Sequence, residues 1–409
     1  MISEKLNQQI TQIGPDTPAG DVLRCYWQPA ALEEELDAPL PVPVTLMGER
    51  LALVRDTAGA LVLATRLPLP DEPAISHPDT GEIQIDTNGP SYPVVVKKGI
   101  VFAYLGQGEP PAFPNFDCFR ADDAHVFAFK GLWECNWLQA LEIGIDPAHA
   151  SFLHRFLEDE DPANSYGKQF RDKVASTDMT VSQVLREYPR PDIDVEETDY
   201  GLKITALRHM HDGYTHVRIT NQIFPEAICI PMSREMTITQ WHVPIDDEHC
   251  YWYTLFTSFK DPVNKELMRA QRLKEHVLPT YAPKKNRGNF YGYDPREQET
   301  TTYTGMGMDI NVHDQWAVEG MGAVQDRTRE HLGRSDKAII RYRRMLRQAI
   351  KALESGDRQA LPMQDASAAK AIIGPLSNDS VAPTDNWPGI SHEADLERRA
   401  SCPWDASIS

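Results

Sequence analysis

The stretch Glu142-Ile143-Gly144-Ile145-Asp146-Pro147-Ala148-His149-Ala150-Ser151-Phe152-Leu153-His154 decides how the rest of the chain is read. Asp146 before Pro147 predicts a helix start, with a side-chain acceptor at the N-cap and a proline at N1, where its missing N–H costs nothing. His149 and His154 then fall in the first two turns. Five residues at about 100° each put them about 140° apart on an ideal helix, so both face one point only if the helix bends between them. The spacing is not the i, i+4 pair of a zinc-protease helix. Two neutral imidazoles and one carboxylate on one face of a ferrous ion leave positions open for O2 and substrate. The carboxylate of such a set can come from far along the chain. Asp314, in Val312-His313-Asp314-Gln315-Trp316-Ala317-Val318-Glu319, opens a predicted helix and is the candidate, with Asp309 and Glu319 as rivals. Spacing alone leaves plainer readings open. Two histidines five apart also occur without a metal, and Asp314 alone reads as a helix N-terminal acid stabilised by the helix dipole.

Working outward, the texture changes along the chain. The first 25 residues predict a short helix leading into the loop Gly14-Pro15-Asp16-Thr17-Pro18-Ala19-Gly20. Val44–Met47, Leu51–Val54, Leu61–Thr65, Tyr92–Val96 and Ile100–Leu105 predict strands of a meander, with turns at Gly48-Glu49, Asp56–Gly59 and Lys97–Gly99. Arg66 to Pro93 breaks that pattern with Pro68, Pro70, Pro73, Pro78 and Pro90, and Gly106–Pro114 reads as a linker. Beyond about residue 125 the chain is mixed. A helical stretch near Trp137–Leu157 precedes strands at Ile193–Arg208, His216–Phe224, Glu235–Pro244 and Tyr251–Phe259, and helices are expected over Val263–Glu275, Asp314–Leu332 and Asp336–Glu354. The tail beyond Gly356 is polar and interrupted by prolines, which predicts an irregular wrap or a mobile end. The expected class is α+β, in three parts: 1–120, 121–355 and a tail, 356–409.

Composition narrows the function. Sixty acidic against 41 basic residues give a net charge of −19 over 409 residues, which disfavours nucleic acid or an anionic membrane as the main partner. Charged residues at 25% and apolar ones at 41% make an ordinary globular mixture. No apolar run approaches the ~18 residues that span a bilayer, and Met1-Ile2-Ser3-Glu4-Lys5-Leu6-Asn7 is too polar for a secretory signal. The six cysteines, Cys25, Cys118, Cys135, Cys229, Cys250 and Cys402, are scattered without a Cys-x-x-Cys, so neither a disulfide framework nor a zinc ribbon is expected. These features predict a cytoplasmic enzyme.

Asp-x-x-His-x-x-x-x-His, as Asp146, His149 and His154, resembles the iron motif of the large subunit of Rieske-type non-haem iron aromatic ring-hydroxylating oxygenases, phthalate dioxygenase-type branch. Asn136-Trp137-Leu138-Gln139-Ala140-Leu141-Glu142, Phe152-Leu153-His154-Arg155 and Asp326-Arg327-Thr328-Arg329-Glu330-His331-Leu332-Gly333-Arg334-Ser335-Asp336 resemble that branch too. So do Gly14-Pro15-Asp16-Thr17-Pro18 and Tyr26-Trp27-Gln28-Pro29, and the likeness is colinear from about residue 3 to 355. The resemblance implies a β-rich Rieske-like domain followed by a helix-grip (START-like) catalytic domain with a curved antiparallel sheet. It implies mononuclear Fe(II) on His149, His154 and Asp314, O2, an aromatic substrate to be hydroxylated or O-demethylated, and a homotrimer or multiple of trimers. It also implies electrons from a reductase or ferredoxin through a Rieske [2Fe–2S] cluster of the neighbouring subunit. Asp146 matches the residue that bridges a cluster histidine to an iron histidine, a role that orients the imidazole as well. Glu142, in the same motif, is a further catalytic candidate.

One departure matters. A Rieske centre needs two thiolates on one iron and two imidazoles on the other. The family supplies them as Cys-x-His and Cys-x-x-His, and neither motif occurs in this chain. Cys25 is followed by Tyr26-Trp27 and Cys118 by Phe119-Arg120, and His77 is the one histidine before residue 120. After Leu61–Thr65 the chain passes through Arg66-Leu67 to Pro68-Leu69-Pro70-Asp71-Glu72-Pro73, which resembles the family's segment after the second cluster loop. The missing block has three possible origins: natural loss, engineered deletion, or omission of residues that the protein carries.

Two functions are in play: an oxygenase α subunit acting on an acidic aromatic, or a cluster-less, non-catalytic iron-binding homologue that keeps the oligomer scaffold. A metal-free helix-grip binding protein leaves His149, His154 and Asp314 unexplained. A carboxylated ring wants an Arg or Lys in its pocket. Arg208, Arg218 and Lys203 on predicted strands are candidates, each also readable as a solvated sheet residue. His209, His211 and His216 read as surface or core histidines.

Overall fold

Short β-rich runs separated by turn residues close into hairpins. Met47 and Gly48 both take positive φ, 53° and 77°, as do Lys98 and Gly99, at 53° and 84°. That conformation belongs to the two-residue turn whose twist matches its flanking strands. A computed structural model describes residues 1–68, 83–157, 174 and 177–407. Pro70, Pro73 and Pro78, and Leu69–Pro73 of the stretch that resembles the family's segment after the second cluster loop, lie outside the described residues.

The first sheet is antiparallel and six-stranded. It comprises β1 (Trp27–Leu32), β2 (Val42–Leu46), β3 (Glu49–Arg55), β4 (Leu61–Thr65), β5 (Ser91–Lys97) and β6 (Ile100–Tyr104), in the order β1-β6-β5-β4-β3-β2. The second, eight-stranded, contains β7 (Val126–Trp133), β8 (Asp192–Thr198), β9 (Gly201–His209), β10 (Tyr214–Ile223), β11 (Ala227–Pro231), β12 (Met236–Pro244) and β13 (Cys250–Ser258). Its order is β7-β13-β12-β11-β10-β9-β8. A small ribbon, β14 (His276–Val277) and β15 (Ala282–Pro283), lies apart, and β16 (Asn378–Pro383) joins the second sheet on β10.

Twelve helices surround the sheets among the described residues: α1 (Glu4–Thr11), α2 (Pro18–Arg24), α3 (Asp117–Arg120), α4 (Trp137–Gly144), α5 (Ala150–Leu153) and α6 (Val181–Glu187), then α7 (Lys265–Glu275), α8 (Pro295–Thr300), α9 (Ile310–Glu319), α10 (Lys337–Glu354), α11 (Ala366–Ala371) and α12 (Trp387–Ala400). α10 buries Ala338, Tyr342, Leu346, Ala349 and Ile350, the i, i+4 stripe of an amphipathic helix. α4 lies on β12 and β11, and Gly144 sits so close to the sheet that a methyl group there would come within 2.7 Å of Ile228 Cδ1. The α+β class is borne out. No helix is long and apolar enough to cross a membrane, among the described residues.

Several elements differ from expectation. The strand expected over Ile193–Arg208 is a hairpin, β8 and β9, turning at Asp199-Tyr200. Ala227–Pro231, too short and apolar to show a period, is strand β11. Pro18 and Ala19, read as loop, open α2, because proline is tolerated at N1. The helix expected over Asp314–Leu332 runs instead from Ile310 to Glu319, capped by Asp309, whose carboxylate accepts from Asn311 N at 3.0 Å. The tail is neither irregular nor loose. β11 pairs with β10 only at Asn221–Ile223, and β16 fills the same edge over Tyr214–Ile219. Buried Asp379 on β16 then pairs with His216 and Arg218 of β10. The polar tail is held by a strand partner and by a few of its charges that find buried partners, Asp379 on His216 and Arg218 and Arg399 on Asp117.

Candidate metal centre

α4 ends at Gly144, and Asp146 Oδ1 accepts from Ala148 N at 2.8 Å, closing a turn through Pro147. Asp146 therefore caps a turn, as expected, but the helix after it is only the four residues of α5. His149 precedes α5 and His154 follows it, with φ −98° and ψ 24°. Leaving helical geometry at His154 removes the divergence that a continuous helix would impose, and the two Nε2 atoms stand 3.2 Å apart. Asp314 projects from the middle of α9. Its Oδ1 lies 3.2 Å from His154 Nε2 and 3.6 Å from His149 Nε2. Among the described residues this is the one cluster of three or more such side chains with ligand atoms all within 4.8 Å of one another.

The hydrogen bonds around the cluster set the tautomers. His149 Nδ1 donates to the Asp146 carbonyl. His313 Nε2 donates to the Gly307 carbonyl at 2.8 Å, which leaves its Nδ1 as an acceptor, and His154 Nδ1 donates to it across 3.5 Å. Both ligand-side Nε2 atoms are then bare lone pairs, and Asp314 Oδ1 is buried without a hydrogen bond. Three acceptors facing one point repel each other unless a cation lies between them. Ligand atoms ~2.1 Å from one ion and ~100° apart stand ~3.2 Å from each other, so the donor set matches one metal ion.

Burial governs the charges. It pushes His154 down to about 3, with Arg218 adding to the effect, and His313 down to about 4. It lowers His149 against the opposing pull of Asp314. The imidazoles are neutral, as metal ligands must be. Burial raises Asp314 to about 6, with His149 and His313 opposing, so its carboxylate is ionised at neutral pH.

Beside the cluster lies a cavity of about 110 Å³. His149, His154 and Asp314 form one wall; Ile228, Ile230 and Ile238 lie along the sheet, and Arg218, Thr220, Gln240 and His242 supply polar groups. Asp146 and His149 also line an outer groove of about 1020 Å³, so they form part of the partition between cavity and surface. Phe152 and Trp316, 44% and 42% exposed, face that groove.

The other candidates lie elsewhere. Glu142 is clamped by Arg327 at 2.9 Å and by Arg343, whose Nη2 lies at 3.0 Å. Burial pushes its carboxyl up, but the two guanidiniums prevail and hold it below the ordinary range. Asp309 caps α9, and Glu319 accepts from Tyr291 Oη at 2.7 Å and Glu134 N at 2.9 Å. Arg218 reaches the cavity; Arg208 is buried under the His149 turn, donating to the Pro147 carbonyl at 3.0 Å and Ser151 Oγ at 3.1 Å; Lys203 pairs with Glu196. His209 pairs with Asp192, His211 meets the Tyr188 ring, and His216 is fully buried on Asp379. Sequence reading missed His313, Gln240 and His242. His313 is adjacent to Asp314 but acts through another histidine, which no spacing reveals. Gln240 and His242 share one face of β12 by the two-residue period, a signal that was available.

The chain has relatives among known proteins. The chain is 28% identical over 412 residues to the phthalate 4,5-dioxygenase oxygenase subunit of Pseudomonas putida, covering 87% of this chain and 88% of that one. It is 26% identical over 388 residues to the tert-butanol monooxygenase / tert-amyl alcohol desaturase oxygenase subunit of Aquincola tertiaricarbonis, covering 84% and 76%. A fluorene-bound variant oxygenase in complex with ferredoxin, of carbazole 1,9a-dioxygenase, aligns with a TM-score of 0.49 and 18% identity over 88% of this chain and 99% of that one. The relatives bear out the resemblance to Rieske oxygenase large subunits carried by Asp146, His149 and His154. The model of the family described as "LigXa C-terminal domain like" matches residues 103–393, and the chain belongs to that family.

Proposed function

We propose that this chain is an oxygenase component in which His149, His154 and Asp314 hold one ferrous ion and a carboxylated aromatic ring is hydroxylated or O-demethylated beside it. The observation that carries the reading is the convergence of two bare Nε2 atoms and the buried, unbonded Asp314 Oδ1 on one point. When bound, ferrous iron supplies a centre where O2 is activated with electrons from outside. The chain's own residues do the rest. The Asp146 carbonyl and His313 orient the imidazoles, Ile228, Ile230 and Ile238 exclude water, and Arg218 binds the substrate carboxylate. Arg218 is braced for this by Asp379 and by the Pro231 carbonyl at 2.8 Å. One relative is named for phthalate and another for tert-butanol, so the relatives alone leave the ring open. The cationic side chain over an apolar floor favours an aromatic acid, and about 110 Å³ is the order of size that a single ring occupies.

Electrons arrive from a reductase or ferredoxin, with Asp146 as the route through the partition, in a cytoplasmic homotrimer whose protomers divide into 1–120, 121–355 and 356–409. A second reading, an iron-binding homologue that keeps the scaffold without turnover, is favoured by one feature, the lack of Cys-x-His and Cys-x-x-His. Iron analysis of the purified chain, followed by incubation of the iron-loaded protein with a reductase, ferredoxin and benzoate-type acids under O2, tests both. Iron with hydroxylated product supports the oxygenase. Iron without product under any donor supports the second reading, and a chain that takes up no iron overturns both.

A further inference from the structure

The cavity carries a polar device that the proposed reaction does not use. Gln240 and His242 sit two residues apart on β12, so both point to the cavity side, and Gln240 pairs with Ile228 of the neighbouring strand. His242 is 1% exposed and held on several sides. Its ring packs against Trp133 at 5.9 Å, and its Cε1 lies 3.7 Å from where a methyl group on Gly144 would stand. The Glu226 carbonyl accepts from His242 N at 2.9 Å and faces Nδ1 at 3.4 Å.

A carbonyl can only accept, so Nδ1 carries the proton and Nε2 is left as a lone pair. Burial keeps this imidazole neutral, pushing it down to about 4. The lone pair needs a donor, and Gln240 Nε2 supplies it at 3.0 Å. That bond decides which way the amide points, since Gln240 can satisfy His242 only with its nitrogen. Gln240 Oε1 is then the acceptor left free on a residue that lines the cavity, and it makes no hydrogen bond among the described residues.

Resting on the aromatic-acid reading above, we propose that Gln240 Oε1 is a substrate-reading acceptor, which selects rings bearing a hydroxyl or amino group over the same ring without a donor. His242 is a positioning residue: it fixes the amide so that the cavity meets an oxygen and not an N–H. A ring hydroxyl donates to Oε1, whereas a fluorine of similar size leaves that oxygen buried and unpaired, and the penalty for an unpaired buried acceptor creates the discrimination.

The test uses the full chain loaded with ferrous iron under argon. Calorimetry gives Kd for 3- and 4-hydroxybenzoate and for 3- and 4-fluorobenzoate. In the wild type at least one hydroxybenzoate binds about threefold to tenfold tighter than its fluoro counterpart, the range of one net hydrogen bond. Gln240→Met brings the pair within about twofold while the fluorobenzoate Kd stays put, which also reports a folded cavity. His242→Phe, which frees the amide to turn, lowers the preference without removing fluorobenzoate binding, and it carries the test if Gln240→Met does not fold. A preference that survives Gln240→Met, or equal affinities in the wild type, overturns the assignment and leaves the aromatic-acid reading standing. A wild type that binds none of the four probes overturns both.

Discussion

His313 Nδ1 stands 3.5 Å from His154 Nδ1 across 159 residues of sequence, with the two rings stacked at 5.7 Å. Because His313 gives its own proton to the Gly307 carbonyl, it acts on His154 as an acceptor and keeps Nε2 bare for a metal. His313→Ala removes that acceptor and frees the His154 ring to choose the other tautomer. Iron affinity measured by chelator competition is expected to fall ~10–100-fold, and His313→Asn, which can still accept, to recover part of the loss.

The proposed ligands themselves are tested by stoichiometry. His149→Ala, His154→Ala and Asp314→Ala each leave two ligands from a set of three and are expected to purify without iron, read by plasma emission spectroscopy. A full equivalent of iron in any of these variants would falsify the site.

Asp146 separates two roles that sequence had merged. Its backbone carbonyl holds His149, while its side chain caps the turn at Ala148. Asparagine keeps both bonds but not the titratable carboxyl. Asp146→Asn is therefore expected to retain iron and, in a version of the chain that carries the cluster, to lose ~10–100-fold of turnover coupled to a reductase and ferredoxin. Unchanged coupled turnover would leave Asp146 only the cap. The purified chain, with neither cluster motif, should give no Rieske EPR signal on reduction.

Asp379 bonds His216 and Arg218 from a strand near the C-terminus, and it is 2% exposed. Among the described residues, Asp379 is the acidic side chain that pairs with Arg218. Asp379→Ala leaves buried His216 and largely shielded Arg218 without their shared carboxylate, a change that costs at most the ~3–5 kcal/mol of removing one partner of a buried pair. Chemical denaturation should show a loss of that order, together with weakened benzoate binding because Arg218 is no longer braced.

Glu226 offers a pH test away from the metal cluster. Burial raises its carboxyl to about 8, with Gln28 opposing, and its Oε2 has no hydrogen-bond partner. The folded chain keeps this proton over a range where the unfolded chain has lost it. Its contribution is therefore complete below the ordinary carboxyl pKa of 4.5 and is lost as pH rises toward about 8. Glu226→Gln removes the titration. The melting temperature of the variant relative to wild type is expected to climb steadily from pH 5 to pH 8, read by scanning fluorimetry.

Much of this protein was legible in residue order, because local chemistry decides it. Gly48 and Gly99 mark hairpins through the positive φ that glycine tolerates, and the near-continuous apolar and β-branched runs of β12 and β13 reflect strands buried on both faces. The pair His149 and His154 was visible from its motif. Geometry was not: on a continuous helix the two would diverge, and only the stop after α5 turns them together. Asp314 was placed at a helix start that belongs to Asp309, since a cap acts through one local bond while a ligand acts through space. The tail looked loose because its charges have no partners nearby in sequence; Asp379 finds His216 and Arg218 about 160 residues away, and β16 completes an edge that β11 leaves open. The shared face of Gln240 and His242 was open to the two-residue period, but the roles of His313 and Gln240 belong to the tertiary structure. Each matters through the atom that a second hydrogen bond leaves free, and no linear pattern records which proton a neighbour takes.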